Sequence, residues 1–205
     1  MLAHLREIQR RILDWVVSHF PSLNLDRRAE FFVQLFEKHL EPQSLILDVG
    51  GGWGFYDEPL KKRGHHPVIL DVVKPGYQKA PVVLCGPDGR FPFPDKSFDT
   101  SLLITVLHHV PNPAQLLEEV RRVTRKTLIV VEDLYRHGLG KWWTKLRDQL
   151  YNFEFFGHPA QFRKSGEWMD LFSKSRFDLA EHREVYTWLS GLRILNGLFV
   201  LKVKP

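Results

Sequence analysis

The stretch Leu45-Ile46-Leu47-Asp48-Val49-Gly50-Gly51-Gly52-Trp53-Gly54-Phe55 decides the fold. Its first half is a short apolar run that suits a buried parallel strand, and the run ends in glycines. Glycines let the chain turn tightly and lie against a ligand that a side chain would keep away. A helix is expected to follow, with its first N–H groups free to face an anion. An ordinary strand-to-helix turn needs one glycine, not three at alternate positions. The spacing also separates ligand classes. A dinucleotide fold uses G-x-G-x-x-G, whereas Asp48, Gly50, Gly52 and Gly54 read D-x-G-x-G-x-G.

Similar runs follow at Pro67 to Val72, Pro81 to Cys85, Thr100 to Leu107 and Thr127 to Val131. A helix is expected between the last two. Asn112 caps it, Pro113 takes its first position, and Gln115 stands where a capping box wants Glu or Gln. Leu116, Leu117, Val120 and Val123 form its buried face. Strands alternating with helices predict an α/β layer structure with a parallel sheet. Upstream, two helices are expected at about 2 to 20 and 26 to 40. Downstream, Phe177 to Val185 and Leu195 to Val203 read as strands. The loop between them, with Ser190-Gly191, is too short for a parallel crossover, so they should be antiparallel neighbours.

A chain of 205 residues with 43% apolar and 26% charged side chains is an ordinary globular domain, with no repeat or low-complexity segment. A lone cysteine, Cys85, excludes an internal disulfide framework and a cysteine-based zinc cluster, and fits a cytoplasmic setting. The first turns are charged and lack an apolar signal core. The long uncharged run from Thr100 to Leu117 contains two histidines and two prolines, so it reads as strand plus loop rather than a membrane span. Of the net charge of +5, residues 134–164 hold +4, from six basic against two acidic side chains.

Two further features join the glycine loop. Asp71 closes the next strand, twenty-one residues after Gly50. A carboxylate there can accept from both hydroxyls of a vicinal diol, or simply cap a turn. Then comes Pro87-Asp88-Gly89-Arg90-Phe91-Pro92-Phe93-Pro94-Asp95-Lys96-Ser97-Phe98-Asp99. Over roughly residues 44 to 134 the chain resembles the class I S-adenosylmethionine-dependent methyltransferases, in particular the small-molecule, type 11 branch with its D-A-x-x-L-P-F-P-D-x-S-F-D stretch. The resemblance implies a Rossmann-like fold: a mostly parallel seven-stranded sheet with an antiparallel last strand. It implies S-adenosylmethionine as cofactor, held by Asp48, Gly50, Gly52, Gly54, Asp71, Asp88, Gly89 and Thr105. Asp71 would take the ribose hydroxyls and Asp88 the adenine amino group. Gly89 stands where the family usually has Ala. Asp71 and Pro81 are only ten residues apart, so the usual crossover helix should be cut to a turn. Trp53-Gly54-Phe55-Tyr56 is bulkier than usual after the glycines.

Methyl transfer from a sulfonium mainly needs in-line alignment, with a base only where the acceptor must lose a proton. Candidates are His108 and His109, which would point to opposite faces if the strand continued, and Asp133 after the fifth run. Consecutive histidines with no further ligand at suitable spacing do not make a metal site, so no metal is expected. Ile104-Thr105-Val106-Leu107 stands where amino-methylating nucleic-acid enzymes of this fold carry Asn/Asp-Pro-Pro-aromatic, which argues against that chemistry.

The connection from Asp133 to Ser165 exceeds what the minimal fold needs. Trp142, Leu146, Leu150 and Phe153 fall on one helical stripe, with Lys141, Lys145 and Asp148 on another side. It reads either as a surface helix packed by that stripe or as a cap over the acceptor pocket. In the cap reading Trp142, Tyr151 and His158 bind substrate. Aromatic walls suit a flat or greasy acceptor, and basic residues suit an anionic group or a membrane surface. Nucleic acid ranks lower. The expected layout is one domain: N-terminal helices at 1–42, a cofactor-binding core at 44–134, a cap at 135–164, and a C-terminal helix and strands at 165–205. The implied function is methylation of a small-molecule or lipid-like acceptor, with RNA or tRNA methylation and a non-catalytic binding module as alternatives.

Overall fold

A computed structural model describes residues 2–19, 24–75, 79–86, 89–152, 160–189 and 191–204. The helices are α1 (Leu2–His19), α2 (Leu25–Phe36), α3 (Asp57–Lys61), α4 (Pro113–Val123), α5 (Gly138–Asn152) and α6 (Ser165–Lys174). The strands are β1 (Leu45–Val49), β2 (His66–Asp71), β3 (Val82–Leu84), β4 (Phe98–Ile104), β5 (Thr124–Asp133), β6 (Phe177–Leu189) and β7 (Leu192–Val203). They form one sheet in the order β3-β2-β1-β4-β5-β7-β6. β1 pairs in parallel with both β2 and β4, and β7 runs antiparallel to β5 and β6. The expected topology is therefore the observed one. No helix among the described residues is long and apolar enough to cross a membrane.

Alternate side chains of the inner strands build two cores, one on each face of the sheet. Ile46, Leu102, Ile104, Ile129, Val131, Leu198 and Val200 pack with Phe32, Val33 and Phe36 of α2 and Leu60 of α3. Leu47, Leu103, Leu128, Val130, Phe199 and Leu201 pack with Leu117, Val120 and Val123 of α4 and Trp168 and Phe172 of α6. The period of two in the strands meets the period of 3.6 in the helices, which is why the sheet is covered on both sides.

α4 begins as read. The Asn112 side chain accepts from the Gln115 N–H at 3.3 Å, and Pro113 is at the first position. No helix occurs among the described residues between β2 and β3. Three boundaries differ from expectation. β4 ends at Ile104, and Leu107–His109 form a separate 3-10 turn. The helix after the glycines, α3, starts only at Asp57 and runs five residues. β6 and β7 extend to Leu189 and Leu192, because a hairpin lengthens wherever both strands keep hydrogen bonding.

Candidate functional site

The strand order reverses direction at β1 and β4, which are neighbours in the sheet although β2 and β3 intervene in the chain. In an open α/β sheet the crevice beyond the carboxyl ends of such strands is where ligands bind. Gly50–Gly54 leave β1 there, and Thr105–His109 leave β4 there.

Gly50 has φ +70, and a Cβ on it would sit 2.7 Å from Val106 Cγ2. The two strand ends are thus pressed together by a contact that only glycine permits. Gly52 has φ +50, and a Cβ there would meet nothing within 4 Å. Its backbone borders open space, as a cradle requires. Beside it the Gly52 N–H donates to Asp71 Oδ2 at 3.0 Å, and the Val73 N–H donates to Asp71 Oδ1 at 3.1 Å. Burial raises the Asp71 carboxyl above its usual range, partly offset by these backbone donors. Under the loop Asp48 is 2% exposed, and its Oδ2 lacks a hydrogen-bond partner. Burial first, then the nearby Asp71 and Asp57 charges, push Asp48 up to about 7. α1 closes the outer side of the loop, where Trp53 Nε1 donates to Asp14 Oδ1 at 2.8 Å.

Thr105 holds φ 55, which is costly for a β-branched residue and marks the β4 end as a constrained place. Gly89 also has positive φ, at 74. Asp88 and His158 lie outside the described residues, as does the side chain of Tyr151. The expected anion site at the following helix is not supported: α3 is short, and its first residues are Asp57 and Glu58.

His108 and His109 do not continue a strand to opposite faces. The 3-10 turn brings their rings together, with centroids 4.0 Å apart. The cause is Glu132, which is fully buried near the end of β5. It accepts from the N–H groups of Val106 at 3.0 Å and Leu107 at 2.7 Å. Its other oxygen meets His108 Nδ1 at 2.5 Å. On the opposite side of the ring, Asp148 Oδ1 of α5 lies 3.5 Å from His108 Nε2 and 4.0 Å from His109 Nε2. Burial works against the charged imidazole of His108. The Glu132 charge and the neighbouring Asp148 outweigh it and hold the ring up at about 10.

Asp133 is buried. It ends β5, is 7% exposed, and is bound by Arg147 of α5 and Asn196 of β7, with Arg28 of α2 at 3.7 Å. These contacts tie α2, α5 and β7 to the end of β5.

α5 corrects the reading of the insert. Of the stripe, Trp142 and Leu150 are exposed, Trp142 to 64%, and Leu146 is half-buried; Leu139 and Trp143 are exposed as well. The buried side carries Thr144, Arg147 and Asp148. The helix docks through its polar face because β5 and the His108 turn supply Asp133 and two imidazoles. Trp142 thus lies on the exposed side of α5, opposite the side that carries Thr144, Arg147 and Asp148. Phe153 lies outside the described residues. Sequence reasoning missed Glu132 and Asp148 as site residues. An acid inside the apolar run Leu128-Ile129-Val130-Val131-Glu132 was a signal for the first. Nothing local pointed to the second.

Residues 47–131 match the type 11 family model of the methyltransferase domain. Over this stretch the chain is similar to the methyltransferase domain family. A Mycobacterium sp. (strain KMS) protein named as an uncharacterized methyltransferase is 36% identical over 88 residues, covering 39% of this chain and 34% of its own length. The demethylmenaquinone methyltransferase of Paenarthrobacter aurescens (strain TC1) is 31% identical over 109 residues, covering 49% of this chain and 42% of its own. The chain thus spans well under half the length of these curated relatives. The fold is shared with 1,6-didemethyltoxoflavin-N1-methyltransferase of Burkholderia thailandensis, solved with 1,6-didemethyltoxoflavin and S-adenosylhomocysteine bound. That structure gives a TM-score of 0.65 at 17% identity, over 89% of this chain and 80% of that one. The methyltransferase domain matched by sequence runs from β1 through most of β5, which includes Asp48, the glycines, Asp71, Thr105 and both histidines.

Proposed function

We propose that the chain binds S-adenosylmethionine in the Gly50–Gly54 cradle and transfers its methyl group to a small-molecule acceptor at the end of β4. The observation that carries this reading is Asp71, hydrogen-bonded to the cradle at Gly52 and ending β2, the strand beside β1. Its oxygens accept from backbone N–H groups of Gly52 and Val73, and a carboxylate has lone pairs enough to accept from the vicinal hydroxyls of a ribose as well. Asp48, Gly50, Gly52, Gly54, Gly89 and Thr105 border the same crevice in this reading, and Asp88 joins them on sequence grounds.

In the transfer, the methyl carbon bonds to a nucleophilic atom of the acceptor as its bond to sulfur breaks. The bonding pair stays on sulfur, and S-adenosylhomocysteine leaves. The domain's contribution is alignment. Of the candidate acid–base residues, His109 reaches solvent with its side chain 27% exposed, while His108 is held between two carboxylates. Asp133 is occupied by two arginines and an asparagine. The acceptor is therefore placed beside His109. The activities named for the two relatives, on a quinone precursor and on a toxoflavin precursor, support a small-molecule acceptor.

The test is calorimetry with S-adenosylhomocysteine. Wild type should bind it, and Asp71→Ala should bind more weakly by roughly 1.5–3 kcal/mol, the worth of hydrogen bonds to a charged group. Equal affinity in the two proteins, or no binding to the folded wild type, overturns the reading.

A further inference from the structure

We infer that His108, His109 and Asp148 form a binding site for one first-row transition-metal dication, with Glu132 orienting the first ligand from behind. The three donor atoms lie within 4.8 Å of one another. Two ligands of a tetrahedral zinc site, with bonds of about 2.1 Å, sit roughly 3.4 Å apart. Asp148 Oδ1 is already 3.5 Å from His108 Nε2 and 4.0 Å from His109 Nε2. A contraction of about an ångström, within reach of a side-chain rotation at His109, completes the set.

His108 supplies the independent observation. Its side chain is 1% exposed, and its Nε2 is buried with no hydrogen-bond partner. At 3.5 Å, Asp148 is an ion-pair neighbour at the outer edge of hydrogen-bond reach. Leaving such an atom unmade in the interior is costly; a metal ion would displace the Nε2 proton to solvent and take the lone pair of that nitrogen. The other nitrogen, Nδ1, is engaged by the buried Glu132 carboxylate at 2.5 Å. A carboxylate behind one ring nitrogen, with the second nitrogen pointing into a cluster of further ligands, is the arrangement that orients metal-bound histidines. Two imidazoles and one carboxylate suit zinc, cobalt, nickel or iron, and not magnesium or calcium, which require more oxygen ligands.

The reason the chain can build this site is the inverted docking of α5. Adjacent histidines alone lack a third ligand, and the insert brings Asp148 forty residues along the chain to meet them. Three protein ligands leave a coordination position open, and the site opens toward solvent on the His109 side. Only the use of the metal rests on the proposed function: the open position would take an oxygen or nitrogen of the acceptor. Binding of the ion does not depend on that reading.

The experiment uses the untagged full chain, stripped with a chelator and titrated with cobalt(II) as a spectroscopic probe and with zinc(II) in competition. One cobalt per chain should bind with a visible ligand-field band, zinc should displace it, and magnesium should not. His109→Ala and Asp148→Asn should each weaken cobalt binding at least tenfold and remove the band. Melting curves establish that each variant is folded, and S-adenosylhomocysteine calorimetry on the same samples should be unaffected. Absence of a saturable band in the folded wild type overturns the inference, as does an unchanged band in both variants. A metal failure with intact cofactor binding leaves the methyltransferase reading standing, and the converse result does the opposite.

Discussion

Asp48 is where one residue carries the most consequence. Its carboxyl lies under the glycine loop, where a Cβ on Gly51 would come within 2.5 Å of Oδ2. With its pKa at about 7 in the folded protein and an ordinary value of 3.8, Asp48 stays protonated in the native state over a range where the unfolded chain is ionised. The native state therefore binds more protons between those values. Its contribution to stability is fully present below pH 3.8 and is lost as the pH rises through about 7. Asp48→Asn, which keeps the shape without the charge, should abolish this slope. Thermal melts at pH 5 and pH 8 should find the stability of the variant relative to wild type rising between the two, by a few kcal/mol at most, because wild type loses most of the Asp48 contribution over that interval. A wild-type stability that rises from pH 5 to 8, unchanged by the substitution, would show that Asp48 ionises freely.

At the scale of an element, α5 makes the clearest statement. A helix with an apolar stripe ordinarily buries it, yet here the polar side is the docked one. Arg147, with its side chain 5% exposed, neutralises the buried Asp133. Arg147→Ala should cost roughly 3 kcal/mol, toward the low end for an orphaned buried charge, because Arg28 and Asn196 still contact Asp133. Trp142→Ala should change stability by no more than about 0.5 kcal/mol, as for an exposed position. Urea denaturation of the two variants checks both numbers. The reverse ranking would mean that the helix packs by its aromatic face. On the far side of the sheet, Trp168 of α6 is fully buried among the α4 and β7 side chains. Trp168→Ala should cost about 3–5 kcal/mol by the same measurement.

For the whole molecule, the sheet sets a hierarchy of stability. β1, β4 and β5 have neighbours on both edges and helices on both faces. β3 and β6 are edges, and β3 is three residues long with Val83 and Leu84 exposed. Amide exchange should be slowest in Ile46–Val49, Leu102–Ile104 and Leu128–Val131, and fastest among the strands in β3. β3 also pairs with β2, whose last residue is Asp71. Saturating S-adenosylhomocysteine should raise the melting temperature and slow exchange in β2 and β3, since a ligand that binds only the native state stabilises it by mass action. Protection confined to the β6–β7 hairpin would place the ligand elsewhere.

The sequence by itself determined the layered sheet, the antiparallel β7, the Asn112 cap and the glycine-loop crevice with Asp71 beside it. Each rests on local chemistry: the period of the apolar side chains, the backbone freedom of glycine and the reach of a capping side chain act over a few neighbouring residues. Tertiary structure alone decided which face of α5 is buried, where β4 stops, and that His108 meets Glu132 and Asp148. Periodicity shows that a helix has two unlike faces, but docking depends on what the receiving surface presents. Here that surface presents a buried carboxylate and two imidazoles, whose partners stand fourteen to forty residues away in the chain. The 3-10 turn after β4 has the same origin. Its backbone N–H groups at Val106 and Leu107 are taken by Glu132 from a neighbouring strand, a contact no local pattern encodes.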